Sequence, residues 1–443
     1  MRHETQFANV GGVVFRTLLT DHAKMDAIIH ATKARENVIA LMNELRESIA
    51  SDDVDLVNSC VYDLTTIPNA HLVSILQYNH RQPFFQQMLL EDCISLSEEI
   101  DAQKVASEPI TVTARRGKSG KESPFQRAGA KRWAAQQNLA RVARVRFAPS
   151  AHQSGTHGVQ HAIAGARTAI TSGNAFLATL EIEGLWRNCD LTAFPGLIGV
   201  DPEWIEATFA VRREGITIGA TFDSPPPTQR EQFLKKIGSG LLRDDPASPV
   251  DLLVNLCLSR LEFANSPSQR LVNYNNHLFI GAATDGDRAD AIQRLRDAFA
   301  TLPAGPFEVR ETRRCHACDG FEFLGHNLST SNGRLSTREF GYAFEEDFWR
   351  FSELEEAVQQ NLSSKASDSG HAEGLIDSLA ALVAFRRGWV AAYDQCDDVD
   401  QDYSLVDSPI DELCEACGYS INQVDSHIRP SMGYFPNVWI LGD

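Results

Sequence analysis

Apolar positions recur at helical spacing through the first quarter of the chain. Ala27-Ile28-Ile29 and Val38-Ile39-Ala40-Leu41-Met42, followed by Leu45, stand between long polar faces, which predicts helices across residues 20 to 105. Ser51-Asp52-Asp53 predicts a helix cap within that region. Residues Ala114 to Gln126 hold Gly, Ser, Lys and Arg with few apolar side chains and predict a mobile basic loop. Helical spacing returns over Arg132 to Val145 and Gly158 to Thr171, where Val159, Ala162, Ile163 and Ala166 share a face.

The run Ala175 to Ile182 predicts a buried strand. Asp201 to Arg212 reads as a helix with Pro202 in its first turn, and Ile216 to Thr221 as a strand ended by Ser224-Pro225-Pro226-Pro227. An apolar helix over Val250 to Phe263 precedes two short apolar strands, Leu271 to Tyr274 and His277 to Gly281, joined at a polar tip. A helix over Arg288 to Leu302 and strands at Phe307-Glu308-Val309-Arg310 and Gly320 to Gly325 follow. Helices resume from Glu345, are interrupted by a polar linker at Ser363 to Gly374, and continue over Leu375 to Tyr393. The order strand, helices, strand, strand, helix, strand predicts an α+β unit, with helices on one face of a small antiparallel sheet. Four regions result: helical 1–112, basic 113–175, sheet-bearing 176–335 and helical 336–443.

Composition fits a water-soluble chain. The 443 residues are 43% hydrophobic and 23% charged, and no apolar run reaches the roughly 18 residues of a membrane span. The start Met1-Arg2-His3-Glu4 lacks an apolar signal segment, so a cytoplasmic protein without membrane partners is expected. Nine cysteines, an odd number, argue against a disulfide framework.

The net charge of −18 disfavours indiscriminate nucleic-acid binding, but it is unevenly placed. Between Arg115 and Arg146, ten basic residues stand against Glu122. That segment is +9, leaving −27 on the remainder. Arg115, Arg116, Lys118, Lys131, Arg132, Arg141, Arg144 and Arg146 are candidate phosphate contacts, since a guanidinium fork donates two hydrogen bonds at once. Pairing with the chain's own acidic surface is the alternative.

Cys315-x-x-Cys318 and Cys414-x-x-Cys417 have zinc-knuckle spacing. Four thiolates could close one structural zinc site; two unrelated reduced pairs is the alternative. No other cofactor is expected.

Several segments occur in the order found in reverse transcriptases, and the chain from about 130 to 395 resembles that family, particularly bacterial members related to group II intron and retron enzymes. Phe147 to Ser150 and Ser154 to Ile163 resemble the fingers segment that precedes the palm. Leu180 to Trp186 resembles the first palm motif. Gly240-Leu241-Leu242, Ser248-Pro249 and Leu252 to Leu256 resemble the second. Tyr274-Asn275-Asn276-His277 sits where the family has Tyr-x-Asp-Asp, Phe323-Leu324-Gly325 resembles the primer-grip turn, and Arg387 to Tyr393 resembles the thumb helix. The resemblance implies a right-hand polymerase-like arrangement: a basic fingers-like segment, a palm around the small sheet and a helical thumb.

The family's chemistry depends on residues this chain has exchanged. Nucleotidyl transfer uses two divalent metals about 4 Å apart, and magnesium prefers carboxylate oxygens. By the resemblance Glu181 holds the first metal position and Asn276 and His277 the other two. An amide and an imidazole are poor magnesium ligands. Trp186 falls where the family places an aromatic residue against the incoming sugar, and its size would block the nucleotide pocket. The family's Gln-Gly pair under the template base is replaced by charged residues near Arg243-Asp244-Asp245, and Asn255 is two residues too far along.

The expectation is a catalytically degenerate reverse-transcriptase-like protein. It would serve as an RNA- or DNA-binding scaffold or as a partner of an active reverse transcriptase or another subunit. A place in bacterial antiphage defence is implied by the resemblance alone. The alternatives are a working RNA-directed DNA polymerase with unusual metal ligation, which alone would need magnesium, and a pure protein-interaction module.

Overall fold

The computed structural model describes residues 6–10, 13–82, 86–116, 122–146, 150, 152–154, 158–210, 216–218, 241, 249–339, 341–363, 369–397, 404–425 and 428. A short antiparallel hairpin, β1 (Gln6–Val10) with β2 (Val13–Thr17), precedes the helices. Helix α1 (Asp21–Ala50) buries Ala27, Ala31, Ala34, Val38, Leu41, Met42 and Leu45, the apolar stripe visible in the sequence. It is followed by α2 (Val54–Thr66), α3 (Pro68–Arg81), α4 (Leu90–Ser97) and α5 (Ala102–Ser107). The predicted cap is Asp53, whose carboxylate accepts the backbone N–H of Leu56 and so satisfies an unpaired donor of the first turn.

Residues 114–116 and 122–126 of the segment expected to be a loop lie in paired strands. β3 (Ile110–Arg116) pairs antiparallel with β4 (Glu122–Arg127), and β6 (Ile216–Ile218) adds to β3 in parallel. Ile110 and Val112 are fully buried, so two apolar anchors outweigh the polar composition of the rest. Helices α6 (Ala130–Arg146) and α7 (Val159–Thr171) then lead into β5 (Phe176–Ile182). After α8 (Phe194–Ile198) and α9 (Pro202–Phe209) come α10 (Pro249–Ser259), β7 (Gln269–Tyr274), β8 (His277–Ala282), α11 (Asp285–Ala300) and β9 (Val309–His316).

β7, β8, β5 and β9 form one antiparallel sheet in that order. Helices cover both of its faces, not one as the element order suggested. Leu177, Val272 and Phe279 pack with Ala162, Ile163 and Ala166 of α7. Ala178, Leu180, Leu271, Leu278 and Ile280 pack with Ala291, Ile292 and Leu295 of α11. The physical reason lies in the strands, since β8 is buried at every position except His277. The approach of α7 is close. A Cβ at Gly281 would meet the Ala169 Cβ at 3.1 Å, and one at Gly165 would meet Val272 at 3.0 Å.

A second three-stranded sheet comprises β10 (Phe321–Phe323), β11 (His326–Ser331) and β12 (Arg334–Glu339). Its first turn, Leu324-Gly325, has both φ angles positive, at +50° and +80°, which favours the two-residue hairpin. The C-terminal helices α12 (Gly341–Ser363), α13 (Ser369–Ala392), α14 (Ser404–Ala416) and α15 (Ile421–Asp425) share their own core around Leu379, Leu382, Val383 and Trp389. Arg167 of α7 reaches this unit, donating to the Gln395 carbonyl at 2.8 Å. The N-terminal helices, α6 and the α11 side of the sheet share a single core, so packing continues across residues 112 and 175. The architecture is α+β, with small, mainly antiparallel sheets among helices.

Candidate functional site

The polar tip stands beside the end of β5. Tyr274 and His277 close the β7–β8 hairpin, and Asn275 takes the left-handed φ of +52° that asparagine tolerates. In the sheet register Glu181 lies opposite His277, and the Ile182 N–H donates to the Asn276 carbonyl at 2.8 Å. The three residues predicted from separate segments, Glu181, Asn276 and His277, are therefore neighbours.

The side chains of Glu181 and Asn276 share a set of contacts with a cation. The Asn276 amide Nδ2 donates to Glu181 Oε1 at 3.1 Å. Arg310, from β9, donates through Nη2 to Glu181 Oε2 at 2.9 Å and through Nε to Glu183 Oε1 at 2.9 Å. One guanidinium thus bridges two carboxylates beside the hairpin tip. Arg310 itself had no role in the sequence reading. Nothing in the sequence but its position on the strand beside β5 could have singled it out. His277 is exposed. Among the described residues no three His, Cys, Asp or Glu side chains are grouped to hold a metal.

Trp186 lies in the turn after β5. Its indole N–H donates to Asp251 Oδ1 at 2.9 Å, and its ring packs on the main core. It is a lock between the β5 turn and the start of α10. Asn255, on the same helix, donates to the Asp251 carbonyl at 2.9 Å and accepts from Gln153 Nε2 at 2.7 Å. The backbone of residues 152–154 lies along β7, with Asn273 N–H donating to the His152 carbonyl and Ser154 N–H donating to the Asn273 carbonyl, both at 2.7 Å. Burial holds the His152 imidazole down at a pKa of about 4. Arg243 to Asp245, Phe147 to Pro149, Gly155 to His157, Gly240, Leu242 and Ser248 lie outside the described residues.

The basic segment is not a continuous phosphate-tracking surface. Arg141 is 2% exposed, and its guanidinium donates to Ser74 Oγ at 2.7 Å, Asn138 Oδ1 at 2.6 Å and Gln77 Oε1 at 2.6 Å. Arg132 is also buried and donates to the Ala106 and Ala207 carbonyls. Lys131 pairs with Glu99 at 2.7 Å, and Arg146 donates to the Ile198 carbonyl. These four are engaged with the protein, which corrects the expectation for Arg132 and Arg141 as phosphate contacts. The reason is that α6 is packed among α1, α3 and α10 and exposes little of its circumference. Arg144 is half-buried. Arg115 and Arg116 end β3, beyond which Lys118 lies outside the described residues.

The cysteine pairs do not converge. Cys315 packs beside the α7 side of the sheet, whereas Cys414 belongs to the core of the C-terminal helices. The single four-thiolate zinc site is corrected to two separate pairs of free thiols.

No family model matches the chain, and no curated protein matches it. Solved structures do align with it. The RNA-dependent RNA polymerase (3Dpol) of Sicinivirus is 10% identical, with a TM-score of 0.34, over 72% of this chain and 66% of the viral one. The RNA-dependent RNA polymerase of BmCPV in its quiescent state is 10% identical, with a TM-score of 0.39, over 88% of this chain and 31% of that one. Telomerase from Candida albicans is 9% identical, with a TM-score of 0.32, over 75% and 64% respectively. The chain spans less than two thirds of the length of each of these solved chains.

Proposed function

We propose that this chain is a polymerase-like protein without polymerase chemistry, acting as a nucleic-acid-binding scaffold or as a partner subunit. One observation carries the reading: Arg310 joins Glu181 and Glu183 at the hairpin tip, where two-metal catalysis would need paired carboxylates free to take cations. A guanidinium between them supplies the positive charge that magnesium would otherwise bring, and it cannot activate a hydroxyl. Asn276 completes the set by donating to Glu181, a contact that an aspartate at that position could not make.

Primer extension with Mg²⁺ or Mn²⁺ on an RNA or DNA template tests this directly. No incorporation above background is expected. Incorporation that is lost in Glu181→Ala would overturn the reading and establish a working polymerase.

A second reading, a protein-interaction module, is favoured by the burial of Arg132 and Arg141 and the pairing of Lys131 with Glu99. The ultraviolet absorbance ratio of the purified protein separates the two, since only the scaffold carries nucleic acid. A nucleic-acid complex held by phosphate contacts should also weaken steeply between 50 and 200 mM salt. A role in bacterial antiphage defence, beside an active reverse transcriptase, is part of the proposal and rests on the family resemblance; the genes adjacent to this one test it.

A further inference from the structure

The polymerase-like reading leaves the outer side of α12 without a role. The inner side of that helix carries Phe351, Leu354 and Val358 into the core shared with α13. Asn361 ties down the far end, donating to Ser378 Oγ at 2.8 Å. The outer side presents rings to solvent. Trp349 is 63% exposed and Phe348 is 43% exposed. Among the described residues they are the only two large hydrophobic side chains exposed at consecutive positions. Leu362 is exposed on the same line of the helix as Phe348, roughly four turns on. Clustered exposed apolar side chains mark interaction surfaces, and tryptophan is the side chain that most often anchors them.

The chemistry around the rings is acidic. The sequence of α12 holds six carboxylates, Glu345, Glu346, Asp347, Glu353, Glu355 and Glu356, against one base, Arg350. Arg350 is drawn to α13, its guanidinium carbon 5.5 Å from the centroid of the Phe385 ring. Helical spacing puts Trp349, Glu353, Glu356, Gln360 and Ser363 on one stripe, and Glu353 and Glu356 are exposed. An open cleft of about 530 Å³ lies on the same stripe, lined among the described residues by Glu356, Gln359, Gln360 and Ser363. A carboxylate and amide oxygens accept from an ammonium or guanidinium, and an exposed indole face attracts the same cations. Phosphate would be repelled here, which excludes nucleic acid as the occupant. A second copy of this chain, at −18 overall, would bring like charge.

We propose that the outer face of α12 is a docking surface for a cationic amphipathic segment of a partner protein. Apolar side chains of that segment cover Phe348 and Trp349. One of its arginines or lysines stacks on the Trp349 indole, and another enters the cleft at Glu356. The proposal goes beyond the reading of the hairpin tip and is independent of it.

The test is binding of a labelled amphipathic helix of leucine and arginine, about 18 residues long, to the full chain, followed by fluorescence anisotropy at about 150 mM salt. Saturable binding is expected. Trp349→Ala and the double variant Glu353→Gln/Glu356→Gln should each weaken it at least about fivefold, since an aromatic anchor and complementary charge carry such an interface. Glu44→Gln/Glu47→Gln makes the same charge change on the exposed side of α1 and should alter binding by less than about twofold. Circular dichroism checks the fold of each variant. Absence of saturable binding to the unaltered chain would overturn the proposal. So would an effect below about fivefold in either α12 variant, or an equal loss in the α1 control. A dimer that Trp349→Ala dissolves would also overturn it, by making a second copy the occupant.

Discussion

Two groups of arginine in this protein have opposite fates. On α6, Arg141 is 2% exposed and its donors are taken by Ser74, Asn138 and Gln77. On β9, Arg310 is 60% exposed and bridges Glu181 and Glu183 at the hairpin tip. The first group lies in the most basic stretch of the sequence, which invites a nucleic-acid reading, yet two of its arginines serve the interior. The second lies in a stretch with no charge excess worth noting and sits beside the hairpin tip. The density of charge along a chain therefore does not identify its exposed functional charge. Burial decides that, and burial is a property of the helix's neighbours.

That contrast can be broken most sharply at Arg141. Arg141→Ala leaves Ser74, Asn138 and Gln77 without their shared donor in a closed interior. It should lower stability by about 3 kcal/mol, measured by urea unfolding. A loss below about 0.5 kcal/mol would return Arg141 to the surface and reopen the phosphate reading of α6.

A pH titration sharpens the other side, because the hairpin stands on a buried histidine. Burial lowers the pKa of His152 to about 4, from an ordinary value of 6.5. The folded chain therefore binds its proton less readily than the unfolded chain. Stability from this group is complete above pH 6.5, falls as pH drops from 6.5 to 4, and is lost below about 4. The total is about 3 kcal/mol for a shift of that size. His152→Gln should flatten the unfolding midpoint across that window; an unchanged slope would remove His152 as the cause.

The smallest effect is expected at the tip itself. Arg310→Ala breaks two exposed ion pairs and should change stability by less than about 1 kcal/mol. A larger loss in thermal unfolding would make the Glu181–Arg310–Glu183 set a structural clasp, and the proposal that it occupies a former metal position would lose its basis.

Much of the scaffold was legible. The apolar stripe of α1, the Asp53 cap, Pro202 at the start of α9 and the β7–β8 hairpin all follow from local spacing and turn chemistry. The pairing of strands 110–116 and 122–127 was not, because they are polar except at a few buried anchors such as Ile110 and Val112. Nor was the coverage of both sheet faces, which the element order leaves open. At the hairpin tip, the adjacency of Glu181 to Asn276 and His277 followed from the resemblance, while Arg310 was missed.

The sequence by itself determined which residues could form helices, strands and turns, since those choices rest on periods of two or 3.6 and on caps within a few residues. It also determined that the hairpin tip carries no aspartate. The tertiary structure alone decided what the charges do. Arg310 meets Glu181 across 129 residues of chain, and Arg141 meets Ser74 across 67. Contacts of that range depend on how the layers pack, and a side chain's charge has no meaning for function until its distance to solvent and to the opposite charge is set.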